Sequence, residues 1–326
     1  MLNLTKIQLT SNTLFNWLLQ DKQSSLEGQP QFVRDIFFDH LEHVFNLPHV
    51  SSVQAVQLSN FNTGDYDSTC MKAAVPLRNA IFNSGLFSYF LIHGSTADLG
   101  VVDGWSDFDS IAVVRRDALE AGNREHLFNT CKEIDTIMRR TDPHQHHGIH
   151  FVHEDELKSF PNLYLPVSLL GDCKCLLGSK KISVAQVNSQ EFEMQRFLAI
   201  VRTLTSASRE GVLRHHAKDD KYLLENYADS NTMYQLKYFL CLIMLMPVLW
   251  LNLKGIYCDK PTSFVEIKEF FSPNELEILT KASTIRGTWL PEMNLENVIP
   301  DTTINILGSN YLMRGAEYAA RMRERL

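Results

Sequence analysis

Hydrophobic and polar positions alternate with different periods in different parts of the chain. Residues 11–47 carry two helical patterns; in the second, Phe37, Leu41, Val44 and Phe45 recur at helical spacing while Asp39, Glu42 and His43 turn away. This predicts an N-terminal helical layer. The polar stretch from Ser59 to Ser68 predicts a loop by its Asn, Asp, Gly and Ser content. From Cys70 the period switches repeatedly. Residues 71–84 predict a helix closed by Gly85, and Phe87–Ile92 predicts a short aromatic strand running into His93, Gly94 and Ser95. Further strands are predicted at Phe108–Val114, Ile149–Val152 and Cys173–Leu177, with a helix from about Asp117 to Arg140 between the first two. Strands separated by helices imply a mixed sheet with helices packed on it.

From Ser189 the period is helical almost throughout. Met194, Phe197, Leu198, Val201, Leu204 and Thr205 are predicted to share one face, with Arg202 and Arg209 at its edge. The pattern therefore predicts an α+β protein: a helical extension over 1–69, a mixed-sheet core over 70–185 and an all-α bundle over 186–326. The most apolar run, Phe239–Leu251, covers 13 residues, short of the roughly 20 that a membrane-spanning helix needs. It predicts a buried helix that Pro247 kinks or ends, flanked by Lys237 and Lys254.

A length of 326 residues suits two domains. With 44% hydrophobic residues and 19 Phe there is enough apolar side chain to fill both cores, which excludes disordered and collagen-like classes. The net charge of −7 argues against a protein that coats long nucleic acid through a whole-surface positive field. The acidic excess lies in residues 1–185, with 15 Lys and Arg against 21 Asp and Glu, so any basic surface must be local. Six scattered cysteines without a Cys-x-x-Cys pair predict free thiols in a reducing cytosol. The N-terminus lacks the basic and apolar regions of a signal peptide. A cytoplasmic protein without a membrane partner is expected.

The chemistry concentrates between Phe90 and Val114. A strand ends in Gly94-Ser95, eleven residues intervene, and Asp107-Phe108-Asp109 opens the next strand. Without a Cβ, Gly94 lets backbone N–H groups approach an anion closely, and Ser95 adds a hydroxyl donor, so the pair suits phosphate oxygens. Asp107 and Asp109, two apart on a strand, project their carboxylates from one face as hard oxygen ligands for Mg²⁺, while Phe108 points into the core. Two metal ions so held would activate an attacking hydroxyl and neutralise a leaving group. Asp98 and Asp103, in the intervening loop, suit solvated turn or capping roles.

An apolar strand, Gly-Ser, a gap of this length and Asp-x-Asp on a following strand resemble the signature of the DNA polymerase β-like nucleotidyltransferase superfamily. The resemblance covers residues 71–180 and, more loosely, the helical region after 186. It implies a nucleotidyltransferase-type mixed-sheet core, an NTP donor and Mg²⁺ or Mn²⁺ at Asp107 and Asp109. The family usually places a third acid on a later strand. Here that strand reads His147-Gly-Ile-His-Phe-Val-His153, and alternation puts His150 on the active face. His150 then stands as a general base for the acceptor hydroxyl, a ligand of a softer ion such as Mn²⁺, or the mark of a catalytically silent relative. Glu154, Asp155 and Glu156 are candidates for the missing acid but suit the acidic first turn of a helix. His144, His146, His147, His150 and His153 alternate between strand faces with no thiolate among them, which disfavours zinc.

In the second domain Arg209, Arg214, His215, His216 and Lys218 form a basic run, either a solvated face or an anion-binding wall. Related helical domains commonly send a lysine to the triphosphate, and Lys237, with Lys221 as reserve, is the candidate. Cys173 and Cys175 fit a structural role. The expected activity is transfer of a nucleoside monophosphate to an acceptor hydroxyl with release of pyrophosphate. A small hydroxylated acceptor is the first expectation. A protein side chain, a tRNA end, another nucleotide and a silent nucleotide-binding module are the alternatives.

Overall fold

A computed structural model describes residues 53–62, 72–98, 100–119, 122–141, 150–161, 170–187, 190–213, 232–296 and 298–326. The predicted helices over 11–47, the His144, His146 and His147 turn, and Arg214, His215, His216, Lys218 and Lys221 lie outside these residues. The chain divides into two compact units, one formed by residues 1–100 and 107–187, the other by 101–106 and 188–326. The protein is mixed α+β, with a mixed sheet in the first unit and helices in both.

The first unit is built on a five-stranded sheet. Its strands are β2 (Ser59–Asn60), β3 (Phe87–Ile92), β4 (Ser110–Val114), β5 (His150–His153) and β7 (Lys174–Leu177), in spatial order β2-β7-β3-β4-β5. β3 is antiparallel to both β4 and β7, whereas β4 runs parallel to β5 and β2 parallel to β7. β1 (Gln54–Gln57) pairs with β8 (Lys181–Val184), and β6 (Phe160–Pro161) with β9 (Gln186–Val187). All five residues of β4 are buried, as expected of a central strand covered on both faces. On one face Leu91, Ile111, Val113 and Val152 pack with Leu58, Phe160, Leu170, Ile182 and Val184. Helix α1 (Ala74–Ser84) packs on β3, on β7 and on the longer helix α3 (Arg124–Thr141); one turn, α2 (Ser95–Asp98), lies between them in sequence.

Several boundaries move from their predicted places. Residues 54–60, read as helical extension and loop, form β1 and β2. The second predicted strand starts at Ser110 instead of Phe108, because the ladder with β3 ends at the pair Ile92 and Ser110. The predicted helix over 117–140 is a short 3₁₀ turn, Arg116–Leu119, followed by α3.

The second unit is helical: α4 (Gln190–Glu210), α5 (Thr232–Leu253), α6 (Lys260–Glu266), α7 (Glu277–Gly287), α8 (Asp301–Leu307) and α9 (Tyr311–Glu324). Asp259 starts α6 by accepting a hydrogen bond from the Thr262 N–H at 2.7 Å, which satisfies a donor that the first turn leaves unpaired. Phe197, Val201 and Leu204 of α4 are buried as predicted, but Thr205 is exposed. At the heart of the unit Trp250 donates from Nε1 to the carbonyl of Met322 at 3.0 Å. Gly315 of α9 lets Phe239 approach closely, since a Cβ there would sit 2.5 Å from the ring.

Helix α5 is longer than its apolar run. Pro247 lies inside it without ending it, and Lys237, expected just before the helix, is a buried residue of its second turn. With 22 residues α5 is long and apolar enough to cross a membrane, yet 78% of its most apolar window is buried inside the protein. That burial matches the predicted core helix.

Candidate active site

The corner where β3 hands over to β4 is set by a left-handed glycine. Gly94 has φ +63°, a conformation that costs an L side chain roughly 1–2 kcal/mol. Its carbonyl accepts the N–H groups of Ala97 at 2.9 Å and Asp98 at 3.2 Å, which folds Ser95–Asp98 into the turn α2. Across the corner the His93 N–H donates to the Asp109 carbonyl at 3.1 Å, carrying the β3–β4 pairing one step past the ladder. A Cβ on Gly94 would lie 2.5 Å from Oδ2 of Asp109. The carboxylate therefore rests directly on the bare α-carbon, and the Gly-Ser turn and one of the two predicted acids meet.

Asp107 is held differently. Like Asp109 it precedes β4, so neither acid lies on the strand, where both are predicted; it is buried, and its carbonyl accepts a hydrogen bond from Oγ1 of Thr96 at 3.3 Å. Thr96, fully buried in α2, thus ties the Gly-Ser turn to the acidic segment. The sequence gives no periodic signal for Thr96; its only mark is its place directly after Gly94-Ser95. Between the two acids Phe108 is buried as predicted and stacks on Phe90, with ring centroids 6.5 Å apart. Asp98 and Asp103 are exposed, and Asp98 accepts from the Gly100 N–H at 2.9 Å as a turn residue.

His150 opens β5, half-buried, in register with Ile111 of β4. Paired residues of parallel strands stand on the same face, so His150 shares the side of Ile111. Among the described residues no three His, Cys, Asp or Glu side chains gather as a metal site. His150 is not part of any such group. Two carboxylates still fit Mg²⁺, which keeps several waters and binds through one or two carboxylates plus substrate phosphates.

Two of the acids that follow β5, Asp155 and Glu156, are committed elsewhere. His153 caps the 3₁₀ turn Glu154–Ser159: its Nδ1 accepts from the Asp155 N–H at 3.1 Å, and Glu156 accepts from the His153 N–H at 2.6 Å. Asp155 is gripped by Arg116 at 2.6 Å and Lys158 at 2.8 Å. Burial pushes the Asp155 carboxyl up, but these two partners outweigh it and hold it below its ordinary value. Burial drives the His153 imidazole down to about 4, so it is neutral at pH 7, as its acceptor role at Nδ1 requires. The linkage sign follows: the unfolded chain takes up this proton near pH 6.5 while the fold resists until about 4. Stability is therefore retained above 6.5 and lost as pH falls toward 4. In urea unfolding, this group is expected to remove about 2 kcal/mol between pH 7 and pH 5. His153→Asn, which keeps a capping oxygen without a titrating ring, should flatten that part of the profile.

Arg209 is exposed in the last turn of α4, where it donates to Oγ of Ser206 at 3.4 Å. Lys237 is 1% exposed within α5. Both belong to the helical unit. Burial raises both Cys173, to about 12, and Cys175, so neither thiol is a ready nucleophile. No protein-family profile, curated protein or solved structure matches this chain.

Proposed function

We propose that this protein is a metal-dependent nucleotidyltransferase with a polymerase β-like core in its first unit. One observation carries the reading: the Asp109 carboxylate lies against Gly94, so an acidic segment and a small-residue turn occupy the same corner of the sheet. A triphosphate needs both within a few ångströms, a close-approach surface for its oxygens and hard ligands for its cation.

In this reading the acceptor hydroxyl attacks the α-phosphorus of an NTP. The bond to the β-phosphate oxygen breaks, pyrophosphate leaves, and the hydroxyl proton passes to a base. Asp107 and Asp109 hold Mg²⁺ or Mn²⁺, which when bound neutralises phosphate charge and lowers the pKa of the nucleophile. Gly94 and Ser95 seat phosphate oxygens. His150, at the start of the neighbouring strand β5, receives the acceptor proton, a role an imidazole serves near neutral pH. The resemblance names Arg209, Lys237 and Lys221 as the candidates for triphosphate contact. A small hydroxylated molecule is the proposed acceptor.

The test is pyrophosphate release by the purified full chain with each NTP, Mg²⁺ or Mn²⁺, and pools of small hydroxylated compounds, tRNA and protein as acceptors. Metal-dependent release with one acceptor pool supports the reading and names the acceptor class. Nucleotide binding without release in any pool would identify the silent module that His150 also fits.

A further inference from the structure

The stretch that delivers the chain to Asp107 does not belong to the sheet unit. Residues 101–106 pack within the helical unit, and the chain returns to the sheet unit at Asp107 itself. Within that stretch the Trp105 and Ser106 N–H groups donate to the Val102 carbonyl at 3.0 and 2.8 Å, and Ser106 Oγ accepts from the Val102 N–H at 2.9 Å. The result is a closed turn. Asn294 fastens it: Nδ2 donates to the Gly104 carbonyl at 2.8 Å, while Oδ1 accepts from Trp289 Nε1 at 2.9 Å. Trp289 in turn meets Trp105 edge-on, ring centroids 5.0 Å apart, and both rings are buried. Gly104, at φ +75°, sits so close to Pro291 that a Cβ would lie 2.6 Å from its α-carbon. The turn admits no side chain there.

Asp107 needs such a fastening because it lies outside the ladder that fixes β4, whose first residue is Ser110. A ligand carboxylate must be held within about half an ångström of its working place. Thr96 fixes one side of it, through the carbonyl; the preceding chain supplies the other. We propose that the Asn294–Trp289 clasp on Gly104 and Trp105, which ends two residues before Asp107 in the chain, is a positioning device for Asp107 that sets its affinity for a cation. This rests on the metal-binding role proposed above for Asp107.

The conservative probe is Asn294→Asp, equal in size, which keeps an acceptor for Trp289 but loses the donor to Gly104. Two readouts are taken on the full chain: Mn²⁺ binding followed by the electron paramagnetic resonance of the free ion, and amide hydrogen exchange of the 101–109 peptide without metal. Asn294→Asp is expected to weaken Mn²⁺ binding about ten- to a hundredfold, the range for partners that orient a metal ligand, and to speed exchange of that peptide. Trp289→Phe, which keeps the ring and removes the N–H, should shift both in the same direction by less. Arg314→Ala, which breaks the pair with Glu277 elsewhere in the helical unit, should shift neither. Unchanged Mn²⁺ affinity in a folded Asn294→Asp protein, or an equal loss in Arg314→Ala, overturns the clasp. A wild-type protein that binds Mn²⁺ no better than Asp107→Asn overturns the metal role of Asp107 instead, with peptide exchange still reporting on the clasp.

Discussion

Asp109→Asn is expected to lower pyrophosphate release about a thousandfold or more while leaving the fold intact. The amide is nearly the same size as the carboxylate, so the contact with the bare α-carbon of Gly94 survives. What changes is charge. A neutral oxygen gives up several kcal/mol of cation binding at the place where phosphate charge must be offset, and about 4 kcal/mol corresponds to a thousandfold in rate. Thermal unfolding should move little, because the exchange is isosteric and the group is only half-buried. Single-turnover release at saturating nucleotide, compared with equilibrium nucleotide binding, separates the loss of chemistry from loss of substrate. Full activity in the variant would remove Asp109 from the site, and with it the proposed reaction.

The sequence and the structure agree where a local pattern had a local cause. Phe87–Ile92 read as a strand because aromatic and aliphatic residues crowd one short run, and it is one. Gly85 read as a helix stop, and its φ of +66° ends α1 as a C-cap. The Gly-Ser and Asp-x-Asp pieces were visible as motifs. Their meeting depends on one antiparallel pairing of neighbouring strands, the simplest topology available.

What stayed hidden was decided at a distance. β1 and β2 are short and polar, as edge and flanking strands tend to be, so β1 falls within the expected helical extension and composition reads β2 as loop. Lys237 was placed outside the helix because its charge interrupts the apolar run; the helix reaches back to Thr232 because Met233, Tyr234 and Leu236 are buried ahead of it. Alternation continues from Phe108 into Asp109, whereas β4 starts at Ser110 because the ladder with β3 ends at the Ile92–Ser110 pair, beyond which only the His93 N–H to Asp109 carbonyl bond continues. The Gly104 turn is the plainest case. Nothing near Asp103-Gly-Trp105 announces Asn294, which lies 190 residues further along the chain.

Gly94→Ala should lose activity as well as stability, and the comparison with Gly85→Ala shows why. Both glycines hold nearly the same backbone conformation, φ +63° and +66°. Each substitution therefore imposes the same left-handed penalty of roughly 1–2 kcal/mol, read as a similar fall in unfolding midpoint. Their surroundings differ completely. A Cβ at Gly85 meets nothing within 4 Å, whereas at Gly94 it falls 2.5 Å from the Asp109 carboxylate. In Gly94→Ala either the carboxylate swings off the corner or the turn opens, and both outcomes separate the cation ligand from the phosphate seat. Misplacement by about an ångström at a reacting centre costs on the order of a hundredfold. Gly85→Ala is accordingly expected to lose stability and keep its rate, and Gly94→Ala to lose both. Equal activity in the two variants, at temperatures well below either midpoint, would place the chemistry somewhere other than this corner.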